Sequence, residues 1–159
     1  MASSDLWWTP PQVLALIESA VGDPIALDPF PRDWDPSKPD GFAIDWATVH
    51  TFCNPPYSRL RDFARAFDDA AELGRKWRQQ GRQVAISALV PAYTDTRWFE
   101  RLRCASSVIA FHRGRIGFGR GEGGESTVAR FPSAIAYAGP FPGRFCDTMR
   151  AAGHWAVIA

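Results

Sequence analysis

The residues with the clearest chemical potential are Asn54-Pro55-Pro56-Tyr57, which follow a short run of apolar and β-branched residues. Prolines cannot continue a central strand, so residues 49–53 are predicted to form a strand that ends at this turn. The side-chain oxygen of Asn54 and the main-chain carbonyl of Pro55 are two hydrogen-bond acceptors close together. Two such acceptors suit an –NH2 group, and the ring of Tyr57 offers a flat surface to a planar base.

An aromatic amine is a weak nucleophile because its lone pair is delocalised into the ring. Two hydrogen bonds that draw its protons out of plane would localise that pair towards an electrophile. They would also disperse the positive charge that develops as the amine attacks, which stabilises the transition state more than the ground state. The alternative is a purely structural turn with Tyr57 packed in the core, and the position after an apolar strand favours the functional interpretation.

The composition is that of a globular protein with one domain spanning residues 1–159, since 46% of the residues are hydrophobic and 22% are charged. The sequence has no apolar run of about 18 residues, and its start lacks the features of a signal peptide, so no membrane association is expected. Three scattered cysteines indicate reduced thiols in a cytosolic protein, and three scattered histidines indicate no metal site.

The net charge of +1 conceals a strong asymmetry. Residues 1–49 hold two basic and eight acidic residues, whereas residues 50–130 hold fourteen basic and eight acidic ones. A central region rich in arginine suits a phosphate backbone, because the guanidinium group binds two phosphate oxygens at once. Solvated helix faces are the alternative interpretation of the same charges.

Apolar spacing, prolines and glycines predict alternating helices and strands. The predicted helices cover residues 11–21, 59–80, 94–105 and 145–153, the first with Thr9 as N-cap and the third capped by Thr94 or Asp95. The predicted strands cover residues 25–29, 49–53, 83–91, 107–119 (with a turn at 113–114) and 131–139, and the longest loops cover 30–42 and 119–127. Such alternation predicts an α/β fold with a mostly parallel sheet and helices on both faces. Ligands bind at the carboxyl edge of such sheets, where several of these strands stop at proline.

With these segments in order, the chain resembles the amino-methyltransferases that use S-adenosylmethionine, whose catalytic motif is [DNS]-P-P-[YFW]. The segments "WTPP" (8–11), "LDP" (27–29) and "NPPY" (54–57) follow one another as in DNA adenine methyltransferases. The segments "TDTRWF" (94–99) and "GRIGF" (114–118) are similar to those of the small phage-type DNA N-6-adenine methyltransferases.

The resemblance implies a minimal Rossmann-like fold and methyl transfer from S-adenosylmethionine to the 6-amino group of adenine in double-stranded DNA. It implies that Asn54 and the Pro55 carbonyl hold the amine in a catalytic turn that includes Pro56. Tyr57 would stack on a base flipped out of the duplex. The sulfonium is itself an activated electrophile, so no metal is implied.

The resemblance also implies a set of residues around the cofactor. These are Trp8, Thr9, Pro10, Asp28, Pro29 and Asn54. A hydrophobic staple is the alternative role for Trp8. The family further implies a phage or prophage enzyme in the cytoplasm of a bacterial host, and the small size suggests a homodimer or a helper subunit.

Three arginines are candidates for binding DNA. Arg113 and Arg115 flank the predicted turn at Gly114 and are positioned to reach phosphate or a base edge, with plain surface charge as the alternative. Arg120 is the cation of the loop over residues 119–127, which is either a DNA-contacting element or an ordinary loop.

The sequence departs from the family pattern in the half that binds the cofactor. No glycine-rich turn follows "LDP", and only 24 residues separate Pro29 from Asn54, which leaves the cofactor half shortened. The strand that normally supplies a carboxylate to the cofactor ribose is therefore missing, and Asp35, Asp40 or Asp45 are the candidate substitutes. Three alternatives stay open: methylation of RNA, methylation of a protein glutamine amide, and a DNA-binding protein that has lost the cofactor.

Overall fold

The computed structural model describes residues 7–35, 37–120 and 125–159, without the side chains of Arg120 and Glu125. The helices are α1 (Pro11–Val21), α2 (Leu60–Gln79), α3 (Arg97–Ala105) and α4 (Pro142–Ala151). The strands are β1 (His50–Cys53), β2 (Ala85–Pro91), β3 (Val108–Phe111), β4 (Gly117–Arg120), β5 (Glu125–Val128), β6 (Ser133–Ala138) and β7 (Trp155–Ile158). Among these residues, no helix has both the length and the apolar character needed to cross a bilayer.

The main sheet has five strands within the described residues, in the order β1-β2-β6-β3-β7. β1 and β2 pair in parallel, whereas β6 pairs antiparallel with both β2 and β3, and β7 pairs antiparallel with β3. The α/β class is therefore confirmed, but the mostly parallel sheet is wrong. A parallel pair needs a long crossover, usually a helix, and between β3 and β6 the chain instead forms the β4–β5 hairpin. β1, β2 and β3 nevertheless run in the same direction, so their carboxyl ends share one edge.

Helices cover both faces of this sheet, as predicted. The side chains of one core pack α1 and α4 on the first face and include Val13, Ile17, Phe145 and Met149. The side chains of the other core pack α2 and α3 on the opposite face and include Phe63, Phe67, Phe99 and Leu102. Within β2, Leu89 belongs to the first core, while Ile86 and Val90 belong to the second. Burial on both faces explains why β2 is a continuous apolar run instead of an alternating one.

Local differences from the sequence predictions have simple causes. Pro10 is the N-cap of α1, so the Thr9 hydroxyl does not cap this helix. Thr96 caps α3 by accepting a hydrogen bond from the main-chain N–H of Phe99. The predicted strand 25–29 is reduced to one parallel bridge between Leu27 and Thr51. The predicted loop 119–127 is shorter than expected because its described ends pair as β4 and β5, while residues 121–124 lie outside the described part of the chain.

Strand β7 was not predicted from the sequence. Its side chains are mostly exposed (Trp155 is 80% exposed), so it lacks the apolar pattern of a buried strand. The N–H of Ala159 donates to the carbonyl of Ser107, and hydrogen bonds alternate along an antiparallel pair, so the carbonyl of Ala156 faces away from β3. This carbonyl accepts hydrogen bonds from Arg150 Nε at 3.0 Å and from Cys146 Sγ at 3.4 Å.

Candidate active site

The motif 54–57 lies at the shared carboxyl edge, directly after β1. All four residues of β1 are buried, and a 3-10 turn (Tyr57–Arg59) joins the motif to α2. Pro55 and Pro56 are buried as well. The motif is therefore held between a buried strand and a long helix.

The nitrogen and the oxygen of the Asn54 side-chain amide differ in their hydrogen bonding. Its Nδ2 donates to the main-chain oxygen of Trp7 at 2.7 Å and to the hydroxyl of Thr9 at 3.1 Å. Its Oδ1 is buried and has no hydrogen-bond partner among the described residues. Buried acceptors are normally paired, so an unpaired one at this position is available to a ligand donor.

A cavity of about 540 Å³ adjoins this acceptor, a volume typical of small-molecule sites. Its walls come from the N-terminal segment and α1, the loop over 28–34, the end of β1 and the β4–β5 hairpin. Of the residues expected at the catalytic turn or the cofactor, the cavity is lined by Trp8, Thr9, Pro10, Asp28, Asn54 and Pro56. Pro29, Pro55 and Tyr57 do not line it.

Asp28 and Arg32 are the charged side chains on the cavity wall among the described residues. Burial raises the pKa of Asp28 from 3.8 to about 6, and the hydrogen bond from the N–H of Phe30 only partly offsets this. The guanidinium carbon of Arg32 lies 3.5 Å from the centre of the Trp8 ring, within the range of a cation–π contact. The cavity therefore has one acidic and one basic group on its wall.

Several residues that line the cavity were not predicted from the sequence. Arg32 and Trp34 follow "LDP" closely, and this position was the available signal for them. The hairpin contributes Gly117, Gly119 and Ser126 because the main chains of Trp8 and Gly119 exchange two hydrogen bonds, each of 3.2 Å. That pairing is long-range, and no local pattern indicates it.

The three acidic candidates for the cofactor ribose lie elsewhere. Asp40 pairs with Arg59 at 3.0 Å, Asp35 binds Ser37, and Asp45 accepts from the N–H of Ala47 at 2.9 Å. None of the three lines the cavity in the described part of the chain. Their carboxylates instead organise turns in the loop over residues 30–49.

Two buried hydrogen bonds hold the loop over residues 30–49 in place. Trp46 Nε1 donates to the carbonyl of Gly41 at 2.8 Å, and the Thr51 hydroxyl donates to the carbonyl of Trp46 at 2.8 Å. Gly41 packs so closely that a Cβ there would collide with the main-chain oxygen of Pro29. The loop is thus held against β1 by the hydrogen bond from Thr51.

Tyr57 belongs to an aromatic cluster beside the cavity. Its ring centre lies 5.4 Å from that of Phe131, which also contacts Trp7 and Tyr93 edge-on at 6.1 and 6.2 Å. Burial raises the pKa of Tyr57, so its hydroxyl stays neutral. This hydroxyl is buried without a hydrogen-bond partner among the described residues.

Two of the candidate DNA-binding arginines, Arg113 and Arg115, do not line the cavity. Arg113 and Arg115 are exposed on the turn that follows β3, at the carboxyl edge of the sheet. The N–H of Arg113 donates to Nδ1 of His154, whose ring centre is 4.4 Å from that of His112, so these two histidines are adjacent despite their separation in sequence. Arg120 ends β4, and its side chain lies outside the described part of the chain.

Comparison with known families gives one clear result. The model of the family described as DNA N-6-adenine-methyltransferase (Dam) matches residues 1–139, which is most of the chain. A search of the curated proteins finds no match. The family match covers the cavity and the motif at 54–57, and it confirms the resemblance inferred from the ordered motifs.

Proposed function

Because the chain belongs to the DNA N-6-adenine-methyltransferase family, we propose that it uses S-adenosylmethionine to methylate the 6-amino group of adenine at the turn 54–57. Methylation of adenine in DNA is the activity of the family, so DNA is the substrate. The methyl donor, the flipped base and the role of each site residue are the parts that we propose. One methyltransferase domain over residues 1–159 belongs to the same proposal.

The observation that carries this proposal is the unpaired oxygen of Asn54. An adenine 6-amino group offers two N–H donors, and Asn54 Oδ1 is a buried acceptor without a partner among the described residues. Asn54 Oδ1 and the Pro55 carbonyl accept hydrogen bonds from these two N–H groups, which directs the nitrogen lone pair towards the cavity. They also stabilise the positive charge that grows on the nitrogen during transfer. The N–CH3 bond forms as the S–CH3 bond breaks, and the nitrogen then releases one proton to solvent.

Base flipping explains how adenine reaches this site, since its amino group is inaccessible inside a duplex. Tyr57 stacks on the flipped base, and Phe131 supports the Tyr57 ring from the side at 5.4 Å. Pro55 and Pro56 keep the turn rigid, because each proline fixes its own φ angle.

The residues on the cavity wall fit S-adenosylmethionine. Its amino-acid part carries an ammonium and a carboxylate, and the wall offers the Asp28 carboxylate and the Arg32 guanidinium. Trp8 and Trp34 provide aromatic surface for its adenine, while Thr9, Pro10 and Pro29 shape or support the wall. When bound, this cofactor supplies the methyl group on a positively charged sulfur.

DNA binding is proposed for Arg113, Arg115 and Arg120. Arg113 and Arg115 are exposed on the edge of the sheet that carries the motif, where their guanidinium groups are free to bind phosphate oxygens. A homodimer or a helper subunit stays a prediction that the size of the protein suggests.

The test is methyl transfer from labelled S-adenosylmethionine to unmethylated duplex DNA, followed by nucleoside analysis. We expect label in N6-methyladenine with the wild type and a loss of at least about a hundredfold with Asn54→Ala, the scale of one oxyanion-type contact. Gly143→Ala is the control, because a Cβ at Gly143 meets no atom within 4 Å. Label in RNA or in protein glutamine, but not in DNA, would overturn the proposed substrate.

A further inference from the structure

We infer that the segment Trp7–Thr9 is a clamp that orients the Asn54 amide, so that the Thr9 hydroxyl acts on methyl transfer through Asn54, although Thr9 also lines the cavity. This inference rests on the proposed role of Asn54 as an acceptor for the amino group. It concerns a residue whose sequence-based role was cofactor binding.

The hydrogen bonds of Asn54 show how the clamp works. Both protons of Nδ2 are used, one by the carbonyl of Trp7 at 2.7 Å and the other by the hydroxyl of Thr9 at 3.1 Å. A main-chain carbonyl can only accept, so an amide turned by 180° would bring two oxygens together at that distance. The Trp7 carbonyl therefore determines that Nδ2 faces the clamp and that Oδ1 faces the cavity.

The start of α1 explains why Thr9 is available for this task. A threonine before a helix usually caps it, but here Pro10 occupies the N-cap and the carbonyl of Pro10 accepts the first helical hydrogen bonds. The Thr9 hydroxyl is directed to Asn54 instead. It holds the second Nδ2 proton and so fixes the plane of the amide.

The clamp is itself anchored to the β4–β5 hairpin. The main chains of Trp8 and Gly119 form an antiparallel bridge, and the Trp7 ring packs edge-on against Phe118 at 5.4 Å. Because Phe118 is fully buried, the carbonyl of Trp7 has a fixed position relative to β1. The orientation of one catalytic side chain thus depends on a segment 45 residues away in the sequence.

The first experiment compares Thr9→Val with Thr9→Ser. Thr9→Val keeps the shape but removes the acceptor, and we expect a single-turnover rate about fivefold lower, as for one lost hydrogen bond. Calorimetry should give an unchanged affinity for S-adenosylhomocysteine, within about twofold, and Thr9→Ser should restore the rate. An unchanged rate, or a loss of affinity in place of rate, would overturn the inference.

A second readout does not depend on catalysis. Asn54 is the only asparagine in the chain, so selective labelling with 15N-asparagine gives a single side-chain amide in an NMR spectrum. We expect one proton of this amide to move upfield in Thr9→Val and to return in Thr9→Ser. Identical amide signals in all three proteins would contradict the clamp even if the wild type transfers no methyl group, in which case the proposed function fails separately.

The second variant is Asn54→Asp, which also tests the Trp7 carbonyl. An ionised carboxylate would face that carbonyl oxygen, whereas the protonated acid can donate to it and still present one oxygen to the amine. We therefore expect the rate relative to wild type to rise at least about threefold from pH 8 to pH 6. A ratio that rises with pH, or one that stays flat although infrared spectroscopy shows the introduced carboxyl group titrating in this range, would show that no acceptor faces position 54.

The other titratable groups near position 54 leave this prediction intact. Burial raises the pKa of Cys53 and of Tyr57, so both stay neutral between pH 6 and pH 8. Asp28 lies on the same cavity wall and would couple to a second carboxylate at position 54, so the ratio is also measured in an Asp28→Asn background, where the same rise towards pH 6 is expected.

Discussion

Asp28 carries a partly buried carboxyl group on the cavity wall. No cation pairs with it in the described residues, and burial raises its pKa to about 6. Natural proteins tolerate such groups mainly where function uses them, because an unpaired buried charge costs stability. A ligand with a positive group or hydroxyl donors would favour its ionised form.

We predict that Asp28→Asn stabilises the ligand-free protein at neutral pH. Between about pH 4 and pH 6 the folded protein binds more protons at Asp28 than the unfolded chain, so stability falls as the pH rises through this window. A pKa raised from 3.8 to about 6 corresponds to a loss of up to about 3 kcal/mol. Urea unfolding at pH 4.5 and pH 7.5 measures the difference between variant and wild type.

The control for this prediction is Asp69→Asn, which changes an exposed carboxylate on α2. The difference in unfolding free energy between this variant and the wild type should be nearly the same at both pH values. If Asp28→Asn behaves in the same way as the control, Asp28 is not buried as an acid. Binding of S-adenosylhomocysteine to Asp28→Asn should weaken although its stability rises.

A second residue-level prediction concerns Arg32. The proposed contact with the cofactor carboxylate predicts that Arg32→Gln weakens S-adenosylhomocysteine binding about fivefold, as expected for a partly exposed charged hydrogen bond. 5′-Methylthioadenosine lacks the amino-acid part, so its affinity should not change. Arg82→Gln is a matched control because Arg82 also stacks on a tryptophan, Trp77 at 4.4 Å, and does not line the cavity. If Arg32→Gln lowers the affinity for both ligands equally, Arg32 does not bind the cofactor carboxylate.

At the scale of elements, the sequence predicts those helices and strands whose positions depend on neighbouring residues in the chain. The spacing of Phe63, Phe67 and their neighbours predicts α2, and the apolar run of β2 ends at Pro91 as expected. The insertion of β6 between β2 and β3, and the exposed strand β7, depend on long-range pairing that no local pattern encodes. The contact of Thr9 with Asn54 is of the same kind, since two segments 45 residues apart supply it.

The loop over residues 30–49 offers a prediction at this scale. Gly41→Ala should destabilise the protein by about 1–3 kcal/mol, because its Cβ would collide with the main-chain oxygen of Pro29 and the ring of Phe30. The displaced loop should also weaken S-adenosylhomocysteine binding. Thermal unfolding and calorimetry measure both effects.

Gly143→Ala is the control for the loop variant. It lies in the first turn of α4 with no atom within 4 Å of an added Cβ, and it should be neutral or raise stability by up to about 1 kcal/mol. A Gly41→Ala protein as stable as Gly143→Ala would mean that the loop does not pack tightly beneath Pro29.

At the scale of the whole molecule, the direction of the strands decides which surfaces act together. β1 and β3 run in the same direction and are three strand spacings apart, which corresponds to about 14 Å. Their carboxyl ends carry Asn54 and the turn with Arg113 and Arg115, respectively. This separation is close to the width of the major groove of DNA, about 12 Å, so under the proposed function one duplex across this edge would reach both.

We therefore predict that replacing both Arg113 and Arg115 by Gln weakens binding to duplex DNA and makes it less sensitive to salt. Two lost phosphate contacts should lower the slope of log affinity against log salt concentration by about two. Fluorescence anisotropy with a labelled duplex at several salt concentrations measures the slope. Arg82→Gln is again the control, since Arg82 precedes β2 and lies at the opposite edge of the sheet. If the double variant has the same slope as this control, Arg113 and Arg115 do not contact the DNA.

The hydrogen bond from Arg150 to the outward carbonyl of Ala156 has a consequence for solubility. Exposed strand edges are templates on which further chains add, and β7 carries apolar side chains on such an edge. With Arg150 Nε at 3.0 Å from that carbonyl, an added strand would first have to displace a charged donor. The contact from Arg150 therefore opposes edge-to-edge addition of a further strand at Ala156, on an edge that also exposes Trp155 and Ile158.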